Sequence, residues 1–285
     1  MRNVAPVATA RDELLSAWAL DPLALTAAFA ATVFFVTGWR RLRCRRPELA
    51  PWSRIPLFLA GMTLIVLGAV SPLDAIADEY LQSAHMLQHV LIADLGVALL
   101  VVALRGPLTF FFLPRDLLGP LARARPLRGA LVFLLRPSVA LPLWFLVLVT
   151  WHVPALYETA LEHPFVHRAE HLSFVVVGLL VWTLIVDPGH HRRLSTKRRI
   201  GIVALVFWGG QMLAYAVTFG FDPYYDVYTA QPERLLGLSP LGDQRLAGVV
   251  MMVEQLLTLG VAFVLLLREA RQPRPDPKPA PQAAS

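Results

Sequence analysis

Two pairs of histidines stand one helical turn apart in this sequence: His85 with His89, and His167 with His171. Residues at i and i+4 share one face of an α-helix. Each pair can therefore place two imidazoles on one ion, and two such pairs on facing helices can hold one or two metals. His152 follows Trp151, and His163 precedes Pro164 at the start of the helix that carries the second pair. Neutral imidazole suits Zn, Cu, Fe and Ni, and thioether sulfur adds a preference for Cu(I). Met86 lies inside the first pair, while Met251 and Met252 fall in a later apolar stretch. The single cysteine, Cys44, sits in an Arg-rich segment and does not join this group. A His and Met set without thiolate points to copper as Cu(I), with zinc or haem as alternatives. The core ligands are read as His85, His89, His167 and His171. His152, His163, Met86, Met251 and Met252 are additional candidates.

Four carboxylates accompany them. Asp78 precedes His85 by seven residues and shares its face if the helix extends that far. Asp94 is five residues past His89, about 140° round an α-helix, which suits a proton relay or a helix-pairing contact better than a ligand. Glu254 follows Met251 and Met252 and reads as ligand or support. Carboxylates at bilayer depth cost about 2.5–3.5 kcal/mol each on insertion scales, so both should face the bundle. Glu170 completes His167-Arg168-Ala169-Glu170-His171, an H-x-x-E-H sequence. In inverted zinc peptidases the two His of that pattern bind zinc and the Glu acts as base. A membrane zinc metallohydrolase, with Glu233 or Glu254 as distal ligand, is thus the enzymatic alternative. A bis-His haem site is the other. No Ser/His/Asp arrangement or phosphate loop stands out, and the favoured reading is non-enzymatic.

These residues need elements to hold them. The chain of 285 residues is 56% hydrophobic and 16% charged, with mean hydropathy +0.56. Soluble domains carry about 25% charged residues. That composition excludes a disordered chain, a soluble nucleic-acid binder and a disulfide-stapled domain. Seven apolar stretches approach the ~20 residues that cross a bilayer: 23–39, 55–70, 83–104, 138–151, 166–186, 200–220 and 246–267. The expected fold is all-α, a polytopic membrane protein with seven transmembrane helices. Residues 1–22 form an extracytoplasmic N-terminal segment, 23–267 the helical domain, and 268–285 a disordered cytoplasmic tail rich in Pro and Ala. Pro137 and Pro142 interrupt the fourth span.

Charge fixes the expected orientation. Twenty-one of the 26 basic residues lie in segments 40–54, 105–136, 187–199 and 268–285. Those segments sum to +16 and the remainder to −10, which resolves the net charge of +6. Alternate connections are therefore basic, and the positive-inside rule places the N-terminus outside and the C-terminus in the cytoplasm. Residues 115–129 read as an ordinary basic inner loop, with a short basic amphipathic segment as the alternative. His190 and His191 fall in a basic loop and read as solvated residues. The other six His gather at the outer face. Five of the six Tyr (Tyr80, Tyr157, Tyr224, Tyr225, Tyr228) fall in outer connections, as an interfacial belt would place them.

Five segments carry a resemblance. They are Ser71-Pro72-Leu73, Ser83-Ala84-His85-Met86-Leu87-Gln88-His89, Trp151-His152-Val153-Pro154-Ala155-Leu156-Tyr157, His163 through His171, and Ser239-Pro240-Leu241-Gly242-Asp243-Gln244. In this order they resemble the CtaG-type cytochrome c oxidase assembly factors, a family of seven-helix bacterial membrane proteins. The resemblance implies maturation of a haem–copper terminal oxidase by delivery of copper. It also implies an apo-oxidase subunit and a copper donor as partners, and a place in the bacterial cytoplasmic membrane. The chain departs in its last helix. Where many members resemble Met-Trp-x-Pro-Gly, it has Met251-Met252-Val253-Glu254-Gln255.

Overall fold

The computed structural model describes residues 16–189 and 194–272; His190 and His191 lie outside them, as do residues 1–15 and 273–285. The regular elements among the described residues are all helices. Helix α1 spans Pro22–Arg45, α2 Arg54–Val70, α3 Leu73–Glu79 and α4 Gln82–Ala103. Then come α5 (Leu108–Phe111), α6 (Arg115–Arg123), α7 (Arg125–Leu134), α8 (Pro137–Trp151) and α9 (Pro154–Glu162). The last four are α10 (Pro164–Val186), α11 (Thr196–Thr218), α12 (Asp226–Ala230) and α13 (Pro240–Arg271).

Local chemistry sets the boundaries. Proline occupies the first turn of α1, α7, α8, α9, α10 and α13, where its missing N–H costs no helical bond. Asp21 caps α1 by accepting from the Leu23 and Ala24 amides at 2.8 and 3.3 Å. Ser239 caps α13 by accepting from the Gly242 amide at 3.1 Å.

Among the described residues, six helices are long and apolar enough to cross a bilayer: α1, α2 with its preceding turn, α4, α10, α11 and α13. The fourth expected span differs from a simple helix. Residues 125–151 form α7 and α8, bent by 72° at the break before Pro137, and together they make the seventh candidate. Proline at the start of α8 removes the amide that would have continued the ladder of α7. Residues 115–129, read as a basic loop, are helical instead and divide between α6 and α7, with Leu117, Leu121 and Leu127 exposed.

Helix α4 is the centre of the bundle and the most buried of the candidate spans. It packs against α2, α3, α10 and α13. Close approach needs glycine at Gly178, where a side chain on α10 would strike the Ala93 carbonyl of α4. The Arg-rich segments meet at one end. Arg41 donates to the Phe111 carbonyl at 2.8 Å, Arg54 to that of Val102, and Arg199 pairs with Glu269 at 3.0 Å. The histidine pairs lie at the opposite end, where α4 and α10 begin. Between the ends, Leu146, Leu172, Trp208, Leu256 and Leu257 are exposed, which is the surface a hydrocarbon solvent requires.

Candidate metal centre

Three elements build the site. The first two turns of α4 carry His85, Met86, Gln88 and His89. The first two turns of α10 carry His167, Glu170 and His171. Helix α3 brings Asp78 over the start of α4.

The start of α4 is anchored across the chain. The Asp243 carboxylate, on the first turn of α13, accepts from the Gln82 amide at 2.7 Å and from the Ser83 amide at 3.2 Å. It also accepts from the Ser83 hydroxyl at 2.5 Å. These are donors that a helix N-terminus leaves without an internal partner. One turn on, Gln88 donates to the Gly68 carbonyl at 2.9 Å and to Asp74 at 2.5 Å, tying α4 to α2 and α3. Burial and the neighbouring Asp78 push the Asp74 carboxyl above its ordinary value.

The donors converge in two groups that share His85. In each group the ligand atoms lie within 4.8 Å of one another. The first is Asp78, His85 and His167, with Asp78 Oδ1 at 3.8 Å from His85 Nδ1 and Oδ2 at 3.5 Å from His167 Nδ1. The second is His85, His89 and Glu170. There Glu170 Oε1 lies 3.9 Å from His85 Nε2 and 3.4 Å from His89 Nε2, and the two imidazole Nε2 atoms are 2.6 Å apart. A tetrahedral ion with bonds of about 2.0–2.1 Å holds its ligand atoms about 3.3 Å apart, so both groups need only small adjustments to close on a metal. Access is graded. The Asp78 side chain is 27% exposed, whereas His85 is 0% and Glu170 1%.

Unpaired atoms mark the same place. Among the described residues, buried Asp78 Oδ1, His85 Nδ1, His89 Nδ1, His167 Nε2, Glu170 Oε2 and His171 Nε2 have no hydrogen-bond partner. A buried polar atom without a partner costs about 1–3 kcal/mol. Six in one cluster are tolerable where a cation is the intended partner.

The remaining residues singled out in the sequence take different places. His171 stands against His89 and His167 at ring distances of 5.1 and 4.2 Å but joins neither donor group. His163 is exposed at the N-cap of α10 and bonds the Thr159 carbonyl at 3.2 Å. Met252 is half-buried against the apolar cluster that includes Met86 and Met251. Met86, His89, Asp94, His152, Met251 and Glu254 line a cavity of about 90 Å³ below the cluster. The His152 Nδ1 proton goes to the Leu148 carbonyl at 2.8 Å, leaving Nε2 as a bare lone pair, and burial pushes this imidazole below its ordinary value.

Two expectations need correction. Asp94 does not stand on the far side of α4 from His89. Residues Val90–Leu95 form a π-helical turn, whose i→i+5 repeat brings Asp94 one turn below His89 and onto the same cavity. There it accepts from Trp182 Nε1 at 2.6 Å. The tyrosines do not form an interfacial belt either, since Tyr157, Tyr225 and Tyr228 are buried. Tyr157 lies 4.9 Å from the His85 ring and stacks on Tyr225. The Tyr228 hydroxyl donates to the Ala77 carbonyl at 2.8 Å, so Tyr157 is the donor in their 3.0 Å bond. This chain holds α3, and with it Asp78, against the site. Burial pushes both phenols well above their ordinary value.

Sequence reasoning passed over Asp243, Gln88, Asp74 and the tyrosines as positioning groups. A signal existed for three of them: Asp243, Gln88 and Tyr157 stand in the Ser239–Gln244, Ser83–His89 and Trp151–Tyr157 segments that carry the resemblance.

The model of the cytochrome c oxidase caa3 assembly factor family (Caa3_CtaG) matches residues 33–272. No curated protein and no solved structure matches the chain. The matched region contains all five donors of the two groups, their anchors Asp243 and Gln88, and every candidate span but the first turns of α1. The chain belongs to the cytochrome c oxidase caa3 assembly factor family.

Proposed function

We propose that this protein binds copper at the His/carboxylate cluster and hands it to an apo terminal oxidase during assembly. The observation that carries the proposal is the convergence of Asp78, His85, His89, His167 and Glu170, buried or half-buried and each with an unpaired side-chain atom, in two groups of metal-ligand size. Family membership supplies the client class, a cytochrome c oxidase. In this reading the Arg-rich end faces the cytoplasm of a bacterial cell and the histidine end faces outward. A copper donor would approach at Asp78 and His167, the open side of the cluster. The apo-oxidase would withdraw the ion by stepwise exchange of imidazole ligands.

Donor chemistry refines the metal's state. Both groups consist of nitrogen and oxygen atoms, which hold divalent copper. Met86 and Met251 lie deeper, on the cavity, where thioether sulfur favours Cu(I). The two alternatives receive less support. Among the described residues no donor group contains both His167 and His171, the pair on which a zinc hydrolase at the H-x-x-E-H sequence depends. The imidazoles stand in ring contact at 4.2–5.6 Å, which leaves no slot for a macrocycle between them.

The test is metal analysis of detergent-purified full-length protein after anaerobic Cu(I) titration and aerobic Cu(II) and Zn(II) titration. Retained copper that survives desalting and falls in His89→Ala supports the proposal. Copper content indistinguishable from a metal-free control overturns it.

A further inference from the structure

We propose that His85 bridges two metal ions, one on each ring nitrogen, so that the cluster is a dinuclear centre. This rests on the metal-binding reading above. A histidine that ligates one metal donates its other N–H to a carbonyl or carboxylate. His152 shows that pattern, with Nδ1 on the Leu148 carbonyl at 2.8 Å. His85 does not. Its ring is fully buried, and among the described residues its Nδ1 has no hydrogen-bond partner. Asp78 Oδ1, which faces it, is 3.8 Å away, beyond hydrogen-bond length.

Each nitrogen instead faces its own ligand set. Nδ1 looks toward Asp78 and His167, and Nε2 toward His89 and Glu170. The carboxylates are arranged to match. Asp78 spans from His85 to His167 with its two oxygens, and Glu170 Oε1 spans from His85 to His89. Each ion thus receives one carboxylate, one private imidazole and one nitrogen of the shared ring. Binding of the second ion displaces the remaining ring N–H proton to solvent, leaving an imidazolate with a lone pair on each nitrogen. No electron is transferred. The outer ion sits on the accessible side and the inner one on the enclosed side, so the shared ring joins an entry station to a holding station.

Cu(II) titration of the full-length protein in detergent, followed by metal analysis and electron paramagnetic resonance, tests this. Two coppers per chain are expected. The doublet signal should rise to about one spin with the first equivalent and fall as the second ion couples through the shared ring. Asp78→Asn and Glu170→Gln, checked for folding by thermal melt, should each retain one copper with a full, uncoupled doublet. One retained copper in the wild type, or two that give two independent doublets, overturns the bridge and leaves the metal-binding proposal standing. No retained copper overturns both.

Discussion

Asp243 belongs to neither donor group, yet its loss should disturb the site. Asp243 is 3% exposed and holds two amides and one hydroxyl at the start of α4, two to three residues before His85. Asp243→Ala removes every acceptor. Each buried donor left unpaired costs about 1–3 kcal/mol, and bonds to a charged acceptor lie at the upper end. Three donors give about 3–9 kcal/mol, which water entering the vacated volume reduces to about 3–5 kcal/mol. Asp243→Asn keeps one oxygen and should lose about half as much. The assay is a thermal melt in detergent of wild type, Asn and Ala variants, with copper affinity measured on whatever remains folded. The Ala variant should melt well below the Asn variant and bind copper more weakly, because the first turn of α4 frays and His85 moves with it. An Ala variant within about 1 kcal/mol of wild type, with unchanged copper affinity, would refute the cap and the way it positions His85.

Further outcomes follow from the same contacts. Tyr228→Phe removes a buried hydroxyl shared by Tyr157 and the Ala77 carbonyl; it should cost about 1–3 kcal/mol and weaken copper binding through Asp78, as a melt and a titration will show. Gly178→Val forces a side chain against the Ala93 carbonyl at the π turn, and yield of monodisperse protein should collapse, whereas Gly201→Ala, in open space, should purify normally. His152 has a folded pKa below its unfolded value of about 6.5 because burial disfavours the charged ring. Its contribution to stability is complete above the unfolded value and is lost as pH falls toward the folded one. Metal-free wild type should therefore lose more stability than His152→Gln between pH 7 and 5, and parallel melts would contradict this. Chelator treatment of copper-loaded protein should lower the melting temperature by the mass-action term, with no shift in Asp78→Asn/Glu170→Gln double variants.

Much of the site is legible in the sequence because its spacing is local. The i,i+4 pairs and the proline start of α10 act within one or two helical turns, whereas Asp78 reaches His85 from α3, across the break before α4 and not along one extended helix. What escapes is either long-range or irregular. The Asp243 cap joins residues 160 positions apart, and nothing near Gln82 announces it. The π turn below His89 has no composition signature, so a uniform α-helix misplaces Asp94. Tyr157 and Tyr228 fit an interfacial belt by residue type, and only the packing of α9 and α12 over the cluster shows that they are interior. The role of Glu170 illustrates the same limit. Its motif assigns it to the flanking pair His167 and His171, yet the packing of α10 on α4 turns it to His85 and His89 instead.

Copper supply from this cluster to the oxidase is tested by the copper content of oxidase purified from a strain carrying His89→Ala, with membrane levels of the variant protein verified. Oxidase depleted in copper is expected. Oxidase with its full copper complement from that strain would show that the cluster does not supply it.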